Sequence, residues 1–464
     1  MTVAPDAPHK VWRVGTLTYD RRGLVSLFSW LLWGDFAWSM RERSLPPTMQ
    51  LLLRNFGASD TLNSVICGSL PTILGMAVGP IVSYKSDRHR GRRGRRIPFL
   101  LIPTPFIVLA IIGLAFSPAL GTFVHKLLGP RSPGLNSLIL ILLAFFWTTF
   151  ELVGAVSNSV YGALVNDVVP HPLLGRFYGL FRALSLIAGI IFYHWIFGGA
   201  ETLYVWIILG MAMLYGVGFP LMCLNVKEGE YPPRPPMDEG RSIHGAYSAT
   251  QTYFQECFGN SYYLVYFGAT VIAGAAMLPF NLFSVFYAKS IGMSMTTYGS
   301  CLALTYVISL TLAYPIGWLA DRFHPLRLTI AVLAIYSVAI LGSYLFVRDA
   351  RTFSIALLVH GVIAGTFGTA SASMGQRLLP KAEFAQFSSA GGILSSLCAM
   401  LMAPAVGLFL DHAHHDYRYT FLMNFYLSIV AVAALMLLYT KFMALGGPDN
   451  FAPPEKWAKE PALT

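Results

Sequence analysis

"SDRHRGRRGRRIPF", Ser86–Phe99, carries six arginines between Arg88 and Arg96. The surrounding chain of 464 residues is 55% hydrophobic and only 12% charged. Such a patch is either a grip on nucleic acid or the inner rim of a membrane protein, and its flanks decide. On each side stands an apolar run long enough to cross a bilayer, which takes about 20 residues. Lipid offers no partner to backbone groups, so spanning segments are helices or closed barrels. The runs are continuous rather than alternating, which excludes barrel strands.

Working outward, the same length criterion predicts twelve membrane-spanning helices. The first six cover 24–46, 60–84, 97–117, 137–165, 177–198 and 202–224. The second six cover 262–287, 295–319, 327–347, 353–378, 386–410 and 418–441. A mean hydropathy of +0.58 agrees with an integral membrane protein. The net charge of +10 is placed unevenly. Lys10, Arg13, Arg21 and Arg22 precede helix 1; Lys85 and the arginine patch separate helices 2 and 3. Lys227, Arg234 and Arg241 separate helices 6 and 7, and Arg322 and Arg327 separate helices 8 and 9. With an even number of spans these segments share one side, which the positive-inside rule makes cytoplasmic, with both termini. Arg41, Arg43 and Arg54 are exceptions on the outer side. "RERS" (Arg41–Ser44) is read as closing helix 1 at the outer interface, where its charge would draw in an anionic substrate.

A short basic loop pinned between two spans offers no soluble basic face and no reading helix, so nucleic acid is not expected as a partner. The first 23 residues are polar, and no cleavable signal is expected. The five cysteines are scattered and show neither a disulfide framework nor metal spacing. "DHAHHD" (Asp411–Asp416) reads as a solvated outer loop, and no metal site is expected.

The chain is internally duplicated. "GPIVSYKSDRHRGRRGRRIPF" follows helix 2 and "YPIGWLADRFHPLRLTI" follows helix 8, each with Pro-Ile and then Asp-Arg. Asp87 and Asp321 therefore occupy equivalent positions. The expected organisation is a six-helix half over 1–225, a charged proline-rich cytoplasmic linker over 226–261, a second half over 262–441 and a tail over 442–464.

At these residues the sequence resembles the major facilitator superfamily, whose loop signature is G-x-x-x-D-R-x-G-R-R. Gly317 and Asp321 keep its spacing, and Ser83 replaces the glycine in the first half. The longer string resembles the S-D-R-x-x-x-R-x-G-R-R-x-P-F element of sucrose–proton symporters. Ser86, Asp87, Arg88, Arg92, Gly94, Arg95, Arg96, Pro98 and Phe99 match it. "WGDFAW" (Trp33–Trp38) resembles the G-D-F-A element of the glycoside–pentoside–hexuronide:cation symporters, the melibiose permease group. The resemblance implies an all-α fold of twelve transmembrane helices in two pseudo-symmetric six-helix halves. The basic loop then has two readings, a topological anchor and a gate. Asp87, Arg88, Arg95, Arg96, Asp321 and Arg322 form the gating set, with Asp167 and Arg176 of "NDVVPHPLLGRF" as a further pair.

Ionisable groups inside spans are expensive, about 2.5–3.5 kcal/mol each at mid-bilayer on insertion scales, and mark function. Asp35 in helix 1 has Trp38 and Ser39 on its helical face. Glu151 in helix 4 has Asn158 on its face, and Arg182 opens helix 5. Together they can hydrogen-bond sugar hydroxyls, with Trp38 against a pyranose face. The plainer reading is a set of paired groups holding helices together. The resemblance supports the binding reading, since the melibiose permease group binds sugar with the acid of G-D-F-A, an acid in helix 4 and an arginine in helix 5. Asn281 and Tyr287 in helix 7, with Gln376 in helix 10, either line the other wall in the same reading or are buried packing polars; His194 and His360 are packing histidines or proton relays.

The melibiose permease group also carries cation-binding aspartates in helix 2, where this chain has Gly75 and Gly79. A hard cation needs several oxygen ligands, whereas proton coupling needs one suitably buried carboxylate. The expected coupling ion is therefore H+, carried by Asp35 or Glu151, with no other cofactor. No phosphate-binding loop, zinc motif or nucleophile elbow occurs, so enzymatic activity is not expected. The reading is a proton-coupled sugar or glycoside symporter of alternating access, monomeric, in the plasma (inner) membrane. The alternatives are a carrier or exporter of an anionic metabolite, a sodium-coupled sugar symporter and a non-transporting sugar sensor.

Overall fold

A computed structural model describes residues 11–231, 253–380 and 383–454. Lys10, Arg234, Arg241, most of the linker and the end of the tail lie outside the described residues. A hairpin of β1 (Trp12–Val14) and β2 (Leu17–Tyr19) pairs antiparallel with Trp12 opposite Tyr19. It leads into α1 (Arg21–Asn55), where the Asp20 carboxylate accepts from Gly23 N at 2.7 Å and satisfies one end group of the helix.

Among the described residues, eleven long apolar helices follow: α2 (Asp60–Arg88), α3 (Ile97–Arg131), α4 (Leu135–Val168), α5 (His171–Gly199), α6 (Tyr204–Asn225), α7 (Ser261–Ser290), α8 (Met295–Phe323), α9 (Pro325–Phe346), α10 (Ala350–Leu378), α11 (Gln386–His412) and α12 (Tyr419–Ala444). Large apolar side chains along them stay exposed, among them Trp206, Met213, Val338 and Phe346, as a lipid-facing surface requires. Three ends differ from the sequence expectation. α5 opens at His171 rather than 177. α1 runs on to Asn55 rather than ending at 46, and α3 runs on to Arg131 rather than 117. Pro46, Pro47 and Pro118 lie inside these helices. A proline removes one helical bond, but ending the helix at membrane depth would strand more backbone groups. Arg41, Glu42 and Arg43 are consequently mid-helix residues and not an outer loop.

The described residues form two compact units. Of these residues, the first comprises 11–58 and 73–231, the second 59–72, 253–380 and 383–454. In the first, α1 packs on α5 and α6, and α3 packs on α4 and α6. In the second, α7 packs on α11 and α12, and α9 packs on α10 and α12. The pairings repeat helix for helix, which is the structural form of the internal duplication. The start of α2 belongs with the second unit, against α11.

Candidate functional site

Within the first unit, Asp35 is completely buried. Gly34 makes room for it to sit at a helix contact, since a Cβ there would lie 2.7 Å from Met222 of α6. Ser39 Oγ donates to Asp35 Oδ1 at 3.4 Å, and Oδ2 has no hydrogen-bond partner. Trp38 is buried, stacked on Tyr161 of α4 with ring centroids 5.3 Å apart. The guanidinium of Arg41 lies 4.3 Å from the Trp38 ring centroid, 4.7 Å from Tyr215 and 5.3 Å from Phe150. Arg41 is only 3% exposed, and its Nε and Nη1 find no hydrogen-bond acceptor. Glu151, half-buried on α4, feels the Arg41 charge. Arg43 Nη2 donates to Ser185 Oγ of α5 at 3.3 Å, one turn from Arg182, which is exposed. Asn158 is exposed on α4. The structure thus gathers a carboxylate, a cation and an aromatic box in one unit, with Trp38 covered by Arg41 rather than presenting a bare face.

In the second unit a buried polar network joins four helices. Asn281 of α7 bonds His360 of α10 at 2.9 Å, His360 bonds Tyr336 of α9 at 3.0 Å, and Asn424 of α12 donates to Tyr336 at 2.8 Å. Tyr287, buried against Phe353, has a hydroxyl with no partner.

The loop between α2 and α3 is tied down by charge. Asp167 at the end of α4 takes Arg95 at 2.8 Å and Arg96 at 3.0 Å, and Arg96 reaches Asp87 at 2.5 Å. The pairing expected between Asp167 and Arg176 is not made: the two arginines of the loop hold Asp167, and Arg176 stands exposed. The Glu228 carboxylate, just beyond α6, accepts from the backbone N–H of Arg95, Arg96 and Ile97 at 2.9, 2.8 and 2.7 Å. Tyr231 donates its hydroxyl to Glu228, and burial together with that carboxylate holds the phenol in its protonated form. Arg88 stacks on Tyr84 at 3.7 Å. In the second unit Asp321 pairs with Arg377 at 2.6 Å, while Arg322 stacks on Trp318. Gly94 has φ +94, and a Cβ there would meet Glu228 at 2.4 Å. Gly94→Ala is therefore expected to cost about 1–3 kcal/mol, seen as a lower melting temperature of the purified protein. An unchanged melt would mean that the Glu228 clasp does not depend on this close approach.

The family model described as "MFS/sugar transport protein" matches residues 55–410, most of the chain. The chain belongs to this family. It is a multi-pass membrane protein of the major facilitator fold, and the family and its relatives are transporters. Sucrose transport protein SUT2 of Oryza sativa subsp. indica is 28% identical over 168 residues, 33% of this chain and 31% of that protein. Sucrose transport protein SUC3 of Arabidopsis thaliana is 35% identical over 89 residues, 19% of this chain and 14% of that protein. The alignments thus span about a third of these relatives or less. Among solved structures, a bacterial homolog of the human lysosomal transporter Spinster matches with a TM-score of 0.64 at 12% identity, covering 93% of this chain and 98% of that one. A D-xylose-proton symporter matches with a TM-score of 0.62 at 11% identity, covering 94% and 98%. These two show the fold.

Two clusters lie elsewhere than the sequence reading placed them. Arg41 was read at the outer interface because helix 1 was expected to end at 46; its position six residues after Asp35 was the available signal. His412, His414, His415 and Asp416 are exposed, as a solvated loop requires, but Asp411 and His415 also bond the start of α2. Asp411 accepts from Asp60 N at 2.8 Å and Thr61 N at 2.9 Å, capping α2. His415 Nδ1 lies 2.6 Å from the buried Asp60 carboxylate, which Tyr417 also binds at 2.9 Å. Asp60 and Asp411 stand 351 positions apart, and this separation left no local sign of the contact.

Proposed function

We propose that the protein is a proton-coupled symporter of a sugar or glycoside, a mono- or disaccharide, working by alternating access. The observation that carries this reading is Asp35, a carboxylate sealed in the first unit with one long hydrogen bond and one unpartnered oxygen. An ionised carboxylate kept so poorly partnered is costly. Binding a proton relieves that cost, and exposure to water favours its release. Glu151 has Arg41 as a counter-charge, so Asp35 is the proton carrier and Glu151 a substrate ligand beside Arg182 and Asn158. The loop cluster of Asp87, Arg95, Arg96 and Asp167 lies on the cytoplasmic side with both termini, in the plasma (inner) membrane, and acts as a gate. Relatives named as sucrose transport proteins support a sugar as the substrate.

Arg41 favours a second reading. A buried guanidinium with two unused nitrogens suits an anionic metabolite as well as a sugar oxygen. Proteoliposomes holding the purified protein distinguish the two. External pH is recorded as sucrose, melibiose, maltose, glucose, xylose or an organic anion is added. Alkalinisation with a sugar supports symport; flux of the anion without any sugar response favours the second reading.

A further inference from the structure

α7 is interrupted at Ala276 and Met277, between helical stretches Ser261–Ala275 and Leu278–Ser290. The first N–H groups after such a break lack helical acceptors. Phe280 N instead donates to Asn424 Oδ1 at 3.4 Å. A backbone N–H can only donate, so this bond sets which end of the Asn424 amide faces α7. The other end, Nδ2, donates to Tyr336 Oη. The Tyr336 hydroxyl, having accepted there, directs its own hydrogen to His360 Nδ1. With Nδ1 accepting, the ring hydrogen sits on Nε2 and is donated to Asn281 Oδ1. Asn424, Tyr336 and His360 are buried, and the Phe280 ring crosses His360 at 4.5 Å and holds its plane. Asn281 at the end of the chain is exposed. A polar side chain on a membrane helix faces water or protein rather than hydrocarbon.

We propose that His360 is a positioning residue that locks Asn281 with its carbonyl inward and its NH2 outward. Asn281 then offers a substrate donors and no acceptor. This rests on the sugar-transport reading, and it selects an acceptor oxygen of the sugar at that point. The direction of the whole chain is set by the break in α7. Without His360 the Asn281 amide can flip, and half of its selectivity is lost with it.

Two measurements test this. The first is 15N NMR of histidine-labelled protein at neutral pH, with the His360 signal assigned by its absence in His360→Gln. The Nε2–H tautomer is expected; an Nδ1–H tautomer or a doubly protonated ring overturns the proposal. The second is uptake of radiolabelled sucrose, or of whichever sugar in the panel above gives the highest flux. His360→Leu is expected to raise KM about 10-fold with Vmax kept, because a bond is lost equally in all bound states. His360→Gln can accept from Tyr336 and donate to Asn281, and is expected to restore KM. Asn281→Asp, still held by His360 but presenting an oxygen outward, is expected to raise KM at least as far as His360→Leu. Equal KM in all variants, or a His360→Gln as impaired as His360→Leu, overturns the positioning role. If the wild type moves no sugar, the transport reading has failed, and the NMR result still decides the chain.

Discussion

Asp35→Asn is expected to abolish sugar accumulation driven by a pH gradient, lowering uphill uptake by more than about 100-fold, or about 2.7 kcal/mol. Asparagine keeps the size of the side chain and the bond to Ser39 but cannot take up or release a proton. Downhill sugar exchange, which needs no net proton movement, is expected to persist. Both fluxes are read in the same vesicles, with labelled sugar outside and either a pH gradient or unlabelled sugar inside. Retained uphill uptake in the variant would remove Asp35 from the coupling step and move that role to Glu151. Loss of both fluxes would make Asp35 a substrate ligand as well. The prediction follows from burial: the aspartate is completely enclosed and half-partnered, so its proton occupancy is tied to whether water can reach it.

Arg41→Met is expected to destabilise the protein by about 1–2 kcal/mol, because it removes the positive charge that acts on the Glu151 carboxylate inside the first unit. It also removes the cation stacked on Trp38 and Tyr215. The double variant Arg41→Met, Glu151→Gln is expected to recover most of that stability, since neither charge then remains uncompensated. The cycle is read by thermal unfolding in detergent, and the coupling is the difference between the double change and the sum of the single ones. Transport is expected to fail in the two variants that lose Glu151 or its counter-charge and in the double variant, since Glu151 is a substrate ligand in the proposed reading and Arg41 sets the charge beside it. A double variant as unstable as Arg41→Met alone would show that the arginine acts through its aromatic contacts and not through Glu151.

The spans were legible because lipid leaves a helix no freedom: about 20 apolar residues must form one, and nine of the twelve expected helices have both ends within about four residues of those observed. The two that overran did so at prolines, whose local preference is outweighed by the cost of unpaired backbone in the membrane. The duplicated Pro-Ile and Asp-Arg elements were legible for a different reason. They are local strings, and local strings survive in the sequence whatever packs around them.

The sequence by itself determined the number of spans, the two halves, the basic loop and the acids that stand out against an apolar background. Only the tertiary structure decided their partners. Asp167 chose Arg95 and Arg96 over Arg176, because the loop before α3 and the end of α4 meet in space while the nearer arginine in sequence stands exposed. Arg41 became a buried cation because Trp38, Phe150 and Tyr215, from three helices, close around it. The direction of the Asn281 amide depends on Asn424, 143 positions along the chain. Hydrophobicity is a property each residue carries alone, so the sequence displays it. A hydrogen bond belongs to a pair, and which pairs form is settled when the helices pack.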